Sequence, residues 1–93
     1  MREREIEQTF VKEVRKVGGI AVKLVSPGYD GMPDRLVLMP GEKVFFAELK
    51  RPGAKPRPLQ KSRHRMLRNL GFTVLVIDDK KGIEEAIYGI QTT

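Results

Sequence analysis

Cysteine is absent from this sequence of 93 residues, and its absence limits the chemistry that the chain can use. Without thiols there is no disulfide framework and no thiolate metal site, which fits a reducing compartment. Long apolar runs are also absent. The first residues, "MREREIEQ", are charged rather than apolar, and no segment reaches the roughly 20 apolar residues that span a bilayer. We therefore expect a cytoplasmic protein without membrane contact.

Acidic residues are missing from a long internal stretch, between Glu48 and Asp78. The net charge is +6, and the rest of the chain has a small acidic excess, so the positive charge is local. Such a patch is typical of a surface that follows a phosphate backbone, and the alternative is a solvated helix face with a basic loop. The predicted DNA-binding residues are its eight cations: Lys50, Arg51, Lys55, Arg57, Lys61, Arg63, Arg65 and Arg68.

The length of 93 residues predicts one domain, 1–93, and the spacing of apolar residues predicts the element order αβββαβα. This order favours an α/β (α+β) fold in which a mixed central sheet is flanked by helices. The predicted helices cover 3–17, 59–70 and 81–90, and the predicted strands cover 20–25, 34–39, 43–50 and 72–78. A tight turn at 40–42 joins the second and third strands in a hairpin.

Three charged residues are expected to meet at one end of this hairpin. Glu48 and Lys50 are two apart on a strand and so point to the same face, and Asp34 opens the neighbouring strand. Two adjacent carboxylates repel each other, and a hard divalent cation such as Mg²⁺ removes the repulsion. With a lysine beside them, these groups suit metal-assisted phosphodiester hydrolysis. The alternative is a surface ion pair worth about 0–1 kcal/mol.

Further polar residues lie near the predicted site. Glu7 falls inside the apolar arc of the first helix, which makes it a candidate site residue, although pairing with a lysine or arginine is the simpler explanation. Gln60 borders the apolar arc of the second helix and could reach the same sheet end. His64 lies one turn further on, among arginines, and we expect it to contact phosphate or solvent rather than to act in catalysis.

The segments "GMPD" (31–34) and "ELK" (48–50), followed by Gln60, resemble the VRR-NUC domain, a branch of the PD-(D/E)XK nucleases. The likeness extends to "IEQTFVKEVRKVGG", "KLVSPG" and "RPGAKPRPLQ" and so covers nearly the whole chain. The sequence is most similar to the short stand-alone members that phages and prophages encode. Glu7 also matches the first-helix glutamate of archaeal Holliday junction resolvases, which likewise stands eleven residues before a glycine.

The resemblance implies a restriction-endonuclease-like core that uses Mg²⁺ or Mn²⁺ and leaves 5′-phosphate and 3′-hydroxyl ends. By the same resemblance, Asp34 and Glu48 bind the metal, Glu7 is an outer metal or water ligand, and Lys50 serves the attacking water. Gln60 supports the site. These five residues form the predicted catalytic set.

The leading hypothesis is a hydrolase of DNA recombination or repair, a homodimeric endonuclease that resolves four-way (Holliday) junctions. One alternative is a flap-cutting or nicking nuclease with the same site. Another is a non-catalytic nucleic-acid-binding module. Met32, Met39 and Tyr88 are the candidate apolar residues for a dimer contact.

Overall fold

The structure is a computed structural model that describes residues 1–91, so the last two residues of the predicted domain lie outside it. Within these residues, helices and strands follow the predicted order, and the α+β class is confirmed. The elements are α1 (Glu3–Lys16), β1 (Ile20–Lys23), β2 (Arg35–Met39), β3 (Lys43–Leu49), α2 (Pro58–Asn69), β4 (Thr73–Ile77) and α3 (Lys80–Gln91). None of the helices in this part of the chain is long and apolar enough to cross a membrane.

The four strands form one mixed sheet in the order β1-β2-β3-β4. The first three strands are antiparallel, as the hairpin requires, whereas β3 and β4 are parallel. Parallel neighbours need a crossover connection, and α2 provides it. The expected mixed sheet with flanking helices is therefore present. The Glu-Leu-Lys segment lies at the end of β3, which is an inner strand.

Alternation along β3 divides its side chains between the two faces of the sheet. Phe45, Ala47 and Leu49 enter the larger core, which α1 and α3 cover. Phe46 enters a smaller core, together with Leu67 of α2. Glu48 follows the same alternation as Phe46 and therefore lies on the α2 side.

The buried face of α2 is largely polar. Its buried residues are Gln60, His64 and Leu67, which recur at helical spacing and so face the sheet together. Pro58 stands in the first turn, where its fixed φ suits a helix start. Just ahead of β2, Gly31 has φ +88°, and an added Cβ would lie 3.1 Å from the carbonyl oxygen of Leu59. Glycine thus lets the loop that leads into Asp34 pack against α2.

The α2 helix leaves part of its side of the sheet uncovered. Ile20, Leu38 and Val44 are cross-strand neighbours that form an apolar row, and they are 61 %, 42 % and 39 % exposed. Met39 instead belongs to the larger core and is 6 % exposed, so our expectation that it contributes to a dimer contact is wrong. The alternation of β2 is the reason, because it turns Leu38 outward and Met39 inward.

Candidate active site

Asp34 and Glu48 lie opposite each other where β2 begins and β3 ends. Arg35 pairs with Ala47 in the antiparallel register, and one further step along both strands reaches the two carboxylates. Asp34 Oδ2 accepts a hydrogen bond from the backbone N–H of Leu49 at 2.9 Å. The structure therefore brings the two predicted acidic residues together at one end of the sheet.

Glu48 is nearly inaccessible to solvent, with 1 % of its surface exposed. Burial, followed by the negative charge of Asp34, raises the pKa of its carboxyl from 4.5 to about 7, against the opposing effect of Lys50. The Lys50 ammonium lies 3.4 Å from Glu48 Oε2. Near neutral pH the carboxyl is therefore divided between its protonated and ionised forms, and a cation bound beside it would favour the ionised form.

The Gln60 side chain links the start of α2 to Glu48. Its Nε2 donates a hydrogen bond to Glu48 Oε2 at 3.1 Å, and its Oε1 accepts one from the backbone N–H of Arg57 at 2.8 Å. The second bond caps the helix, so the amide is held at both ends. This geometry places Gln60 at the site, and its supporting role stays a prediction.

His64 is the site residue that our sequence reasoning missed. It is 2 % exposed, and its Nε2 lies 3.6 Å from Glu48 Oε1, so the expectation of a phosphate or solvent contact is wrong. The reason is the helical period, which places His64 on the same face as Gln60 four residues earlier. Burial, and then the positive charges of Arg68 and Lys50, lower the pKa of the imidazole. That period was the signal available in the sequence.

Glu7 contacts Arg35 from α1, on the other side of the sheet. Arg35 Nε donates to Glu7 Oε2 at 3.1 Å, and Arg35 Nη1 donates to the carbonyl oxygen of Ala21 at 3.1 Å. Arg35 precedes Val37 by two positions on β2 and so shares its face, which is that of the larger core. The contacts of Glu7 are those of a helix carboxylate paired with arginine, and its role as a metal ligand stays a prediction.

The donor set can be compared with the needs of a divalent cation. Among the residues that the structure describes, no cluster of three or more acidic or histidine side chains is arranged to hold a metal. Asp34 and Glu48 form a pair, and within residues 1–91 the buried Glu48 Oε1 has no hydrogen-bond partner. Mg²⁺ commonly uses one or two carboxylates and completes its coordination with water and phosphate oxygens. The two side chains fit such an ion, or Mn²⁺.

The basic segment 50–68 follows directly on the site. Two of its arginines also make hydrogen bonds within the fold. Arg63 Nε donates to the carbonyl oxygen of Asp30 at 2.8 Å, and Arg68 Nη2 donates to the carbonyl oxygen of Val74 at 2.7 Å. Lys50 and Arg63 are half-buried. The exposed cations are Arg51, Lys55, Arg57, Lys61, Arg65 and Arg68. Solvent-accessible positive charge therefore lies next to the paired carboxylates.

The fold and the paired carboxylates point to a class of small α+β nuclease domains, and comparison with known proteins identifies the family. No family model matches the chain. A protein of Acyrthosiphon pisum secondary endosymbiont phage 1, named "Putative nuclease p44", is 52 % identical over 80 residues, which is 86 % of each chain. A solved structure described as a VRR_NUC domain is 31 % identical, with a TM-score of 0.83 over 95 % of this chain and 97 % of the other. The chain belongs to the VRR-NUC family.

Proposed function

We propose that this domain is a divalent-metal-dependent endonuclease that hydrolyses phosphodiester bonds in DNA and resolves four-way junctions as a homodimer. One observation supports this most directly. A buried Glu48 faces Asp34 beside Lys50, and exposed cations of the segment 50–68 follow at once. A protein that only bound DNA would gain nothing from two carboxylates beside its phosphate contacts. Membership of the VRR-NUC family and the name of the phage relative support nuclease activity.

The residues of the site divide the work of hydrolysis. Asp34 and Glu48 would hold the cation, which when bound polarises the phosphoryl group and lowers the pKa of a water. Lys50 would position the attacking water or stabilise the negative charge that develops on the phosphoryl oxygens. Water attacks phosphorus and the bond to the 3′ oxygen breaks, leaving 5′-phosphate and 3′-hydroxyl ends. Gln60 would keep the carboxylate of Glu48 in place.

Resolution of four-way junctions and dimerisation are the more specific parts of the proposal. Resolution of a four-way junction requires two cuts in strands of like polarity, whereas one chain contributes one Asp34/Glu48/Lys50 site. Two copies related by a two-fold axis present two sites to a substrate of matching symmetry. The exposed apolar row Ile20, Leu38 and Val44, which ends at the edge strand β1, is the surface that we propose for the contact between copies.

A panel of DNA substrates tests the proposal. Four-way junction, flap, nicked duplex and linear duplex, each with Mg²⁺ or with EDTA, should yield paired cuts in the junction and none with EDTA. Preference for the flap, or single nicks from a monomer, would favour the flap-cutting or nicking nuclease. DNA binding without metal-dependent cleavage of any substrate would refute the nuclease and leave a binding module.

A further inference from the structure

We propose that His64 is a positioning residue, whose Nε2–H donates a hydrogen bond to Oε1 of Glu48 and fixes that carboxylate for its role in the site. The inference rests on the proposed nuclease site. Its starting point is a pair of buried atoms. Among the described residues, neither Glu48 Oε1 nor His64 Nε2 has a hydrogen-bond partner, and the two atoms lie 3.6 Å apart.

The two oxygens of Glu48 face two residues of the same helix. Gln60 donates to Oε2, and His64, one turn later on α2, faces Oε1. Gln60 and the Lys50 ammonium both contact Oε2, and the last torsion of a glutamate is broad, so these contacts leave the plane of the carboxylate free to rotate about that oxygen. Two donors from successive turns of a packed helix define that plane.

The energetics favour closing the gap between the two atoms. A distance of 3.6 Å exceeds the 2.7–3.2 Å or so of a good hydrogen bond, and a buried polar atom without a partner costs roughly 1–3 kcal/mol. A shift of a few tenths of an ångström would satisfy both groups. Neutral imidazole has one N–H, so the bond requires the tautomer protonated at Nε2.

The surroundings of His64 argue against a direct part in the chemistry. A general base needs access to water or substrate. His64 is 2 % exposed, on the face of α2 that packs on the sheet, and its Nε2 faces Glu48 Oε1 rather than the surface of the protein. A donor that acts through Glu48 is the role that remains.

Two substitutions and one metal ion test the inference. His64→Leu introduces an apolar side chain of similar size that has no hydrogen-bond donor. His64→Gln keeps an N–H near the same position. Titration with Mn²⁺ alone, followed by calorimetry, should show binding about 10- to 100-fold weaker in His64→Leu and close to wild type in His64→Gln. Cleavage should show a fall in kcat with KM for DNA unchanged in His64→Leu, and recovery in His64→Gln.

Several results would refute the positioning role of His64. Wild-type Mn²⁺ affinity in His64→Leu, or equal weakening in both variants, would show that His64 only fills space. If the variants fail to fold, ¹⁵N NMR of the wild-type imidazole still decides the question, because the inference requires a proton on Nε2 and an Nδ1–H tautomer refutes it. The NMR result does not depend on cleavage, so a failure of the proposed nuclease function remains distinguishable.

Discussion

Asp34 accepts a hydrogen bond from the backbone N–H of Leu49, at 2.9 Å, and so ties the start of β2 to the end of β3. Since Leu49 directly follows Glu48, the same bond sets how far apart the two carboxylates can be. The donor is a backbone N–H of β3, an inner strand that is paired with a neighbour on each side. The spacing of the acidic pair is therefore set by the fold before any substrate arrives, which is the preorganisation that electrostatic catalysis needs.

Neutralising either carboxylate should abolish cleavage and leave DNA binding intact. Asp34→Asn and Glu48→Gln each neutralise a carboxylate that we propose as a metal ligand, and each keeps the shape of the side chain. DNA affinity should be equal or higher, because repulsion of phosphate falls while the basic segment is unchanged. Cleavage and fluorescence anisotropy measure the two effects, with Glu84→Gln on the exposed face of α3 as a control. Undiminished Mg²⁺-dependent cutting by either variant would contradict the site.

Loss of the Lys50 ammonium should slow the chemical step. We expect Lys50→Ala to lower kcat by about 10²-fold or more, because in the proposed mechanism the ammonium would stabilise developing charge in a site largely closed to water. Lys50→Arg should not restore the full rate, since a planar guanidinium cannot replace a compact ammonium. Single-turnover kinetics measure this, and Lys81→Ala on the surface of α3 serves as the control. Equal rates for Lys50→Arg and wild type would mean that Lys50 only attracts phosphate.

The exposed cations of the basic segment should determine the salt dependence of DNA binding. Replacing Lys55, Arg57 and Lys61 with glutamine should weaken binding to every DNA. Each lost phosphate contact should flatten the plot of log K against log salt by roughly 0.9. A variant with the same charge change elsewhere, at Lys16, Lys80 and Lys81, is the matched control. If the control flattens the plot and the test variant does not, the DNA surface lies elsewhere.

The raised pKa of Glu48 should make the metal-free protein less stable as pH rises. The pKa of Glu48 is about 7 in the folded chain, whereas its ordinary value is 4.5. Between these two pH values, the carboxyl therefore holds a proton in the folded chain that it releases in the unfolded chain. The stabilising contribution of this protonation is complete below pH 4.5 and is lost as pH rises to about 7. The pKa of His64 is lowered, so its effect on stability runs the opposite way. The folded state loses stability as pH falls below 6.5, the ordinary pKa of the imidazole.

Glu48→Gln separates these two effects. In EDTA, this variant should be more stable than wild type at pH 8, where wild type carries a buried charge, and close to wild type at pH 4. Urea unfolding at the two pH values measures the difference. A gain in stability that is the same at both values would show that burial of the charge is not its cause.

A charge in the exposed apolar row should separate the subunits of the proposed dimer. Leu38 lies in the middle of the row, so Leu38→Glu should place a carboxylate at the centre of the contact and yield monomers. Tyr88→Glu, on α3 and 70 % exposed, is the matched variant at the other candidate surface. Light scattering at micromolar protein measures the mass. Monomeric wild type would contradict the dimer, and dissociation by Tyr88→Glu alone would move the contact to α3.

Much of the architecture could be read from local patterns. The order of helices and strands follows from apolar spacing and from glycine and proline positions, and the structure confirms it. The period of two along β3 places Glu48 and Lys50 on one face, and the hairpin brings Asp34 to the same end. These features depend on neighbours in sequence or across one tight turn, so the sequence by itself determined them.

Other features depend on how distant elements pack, and only the tertiary structure decided them. The position of α2 on the sheet turns His64 from an expected surface residue into a buried neighbour of Glu48, and it leaves the row at Leu38 uncovered. The pairing of Glu7 with Arg35 joins residues 28 positions apart on different elements. Periodicity shows which face a side chain occupies, whereas the partner it meets there depends on long-range packing, which no local pattern contains.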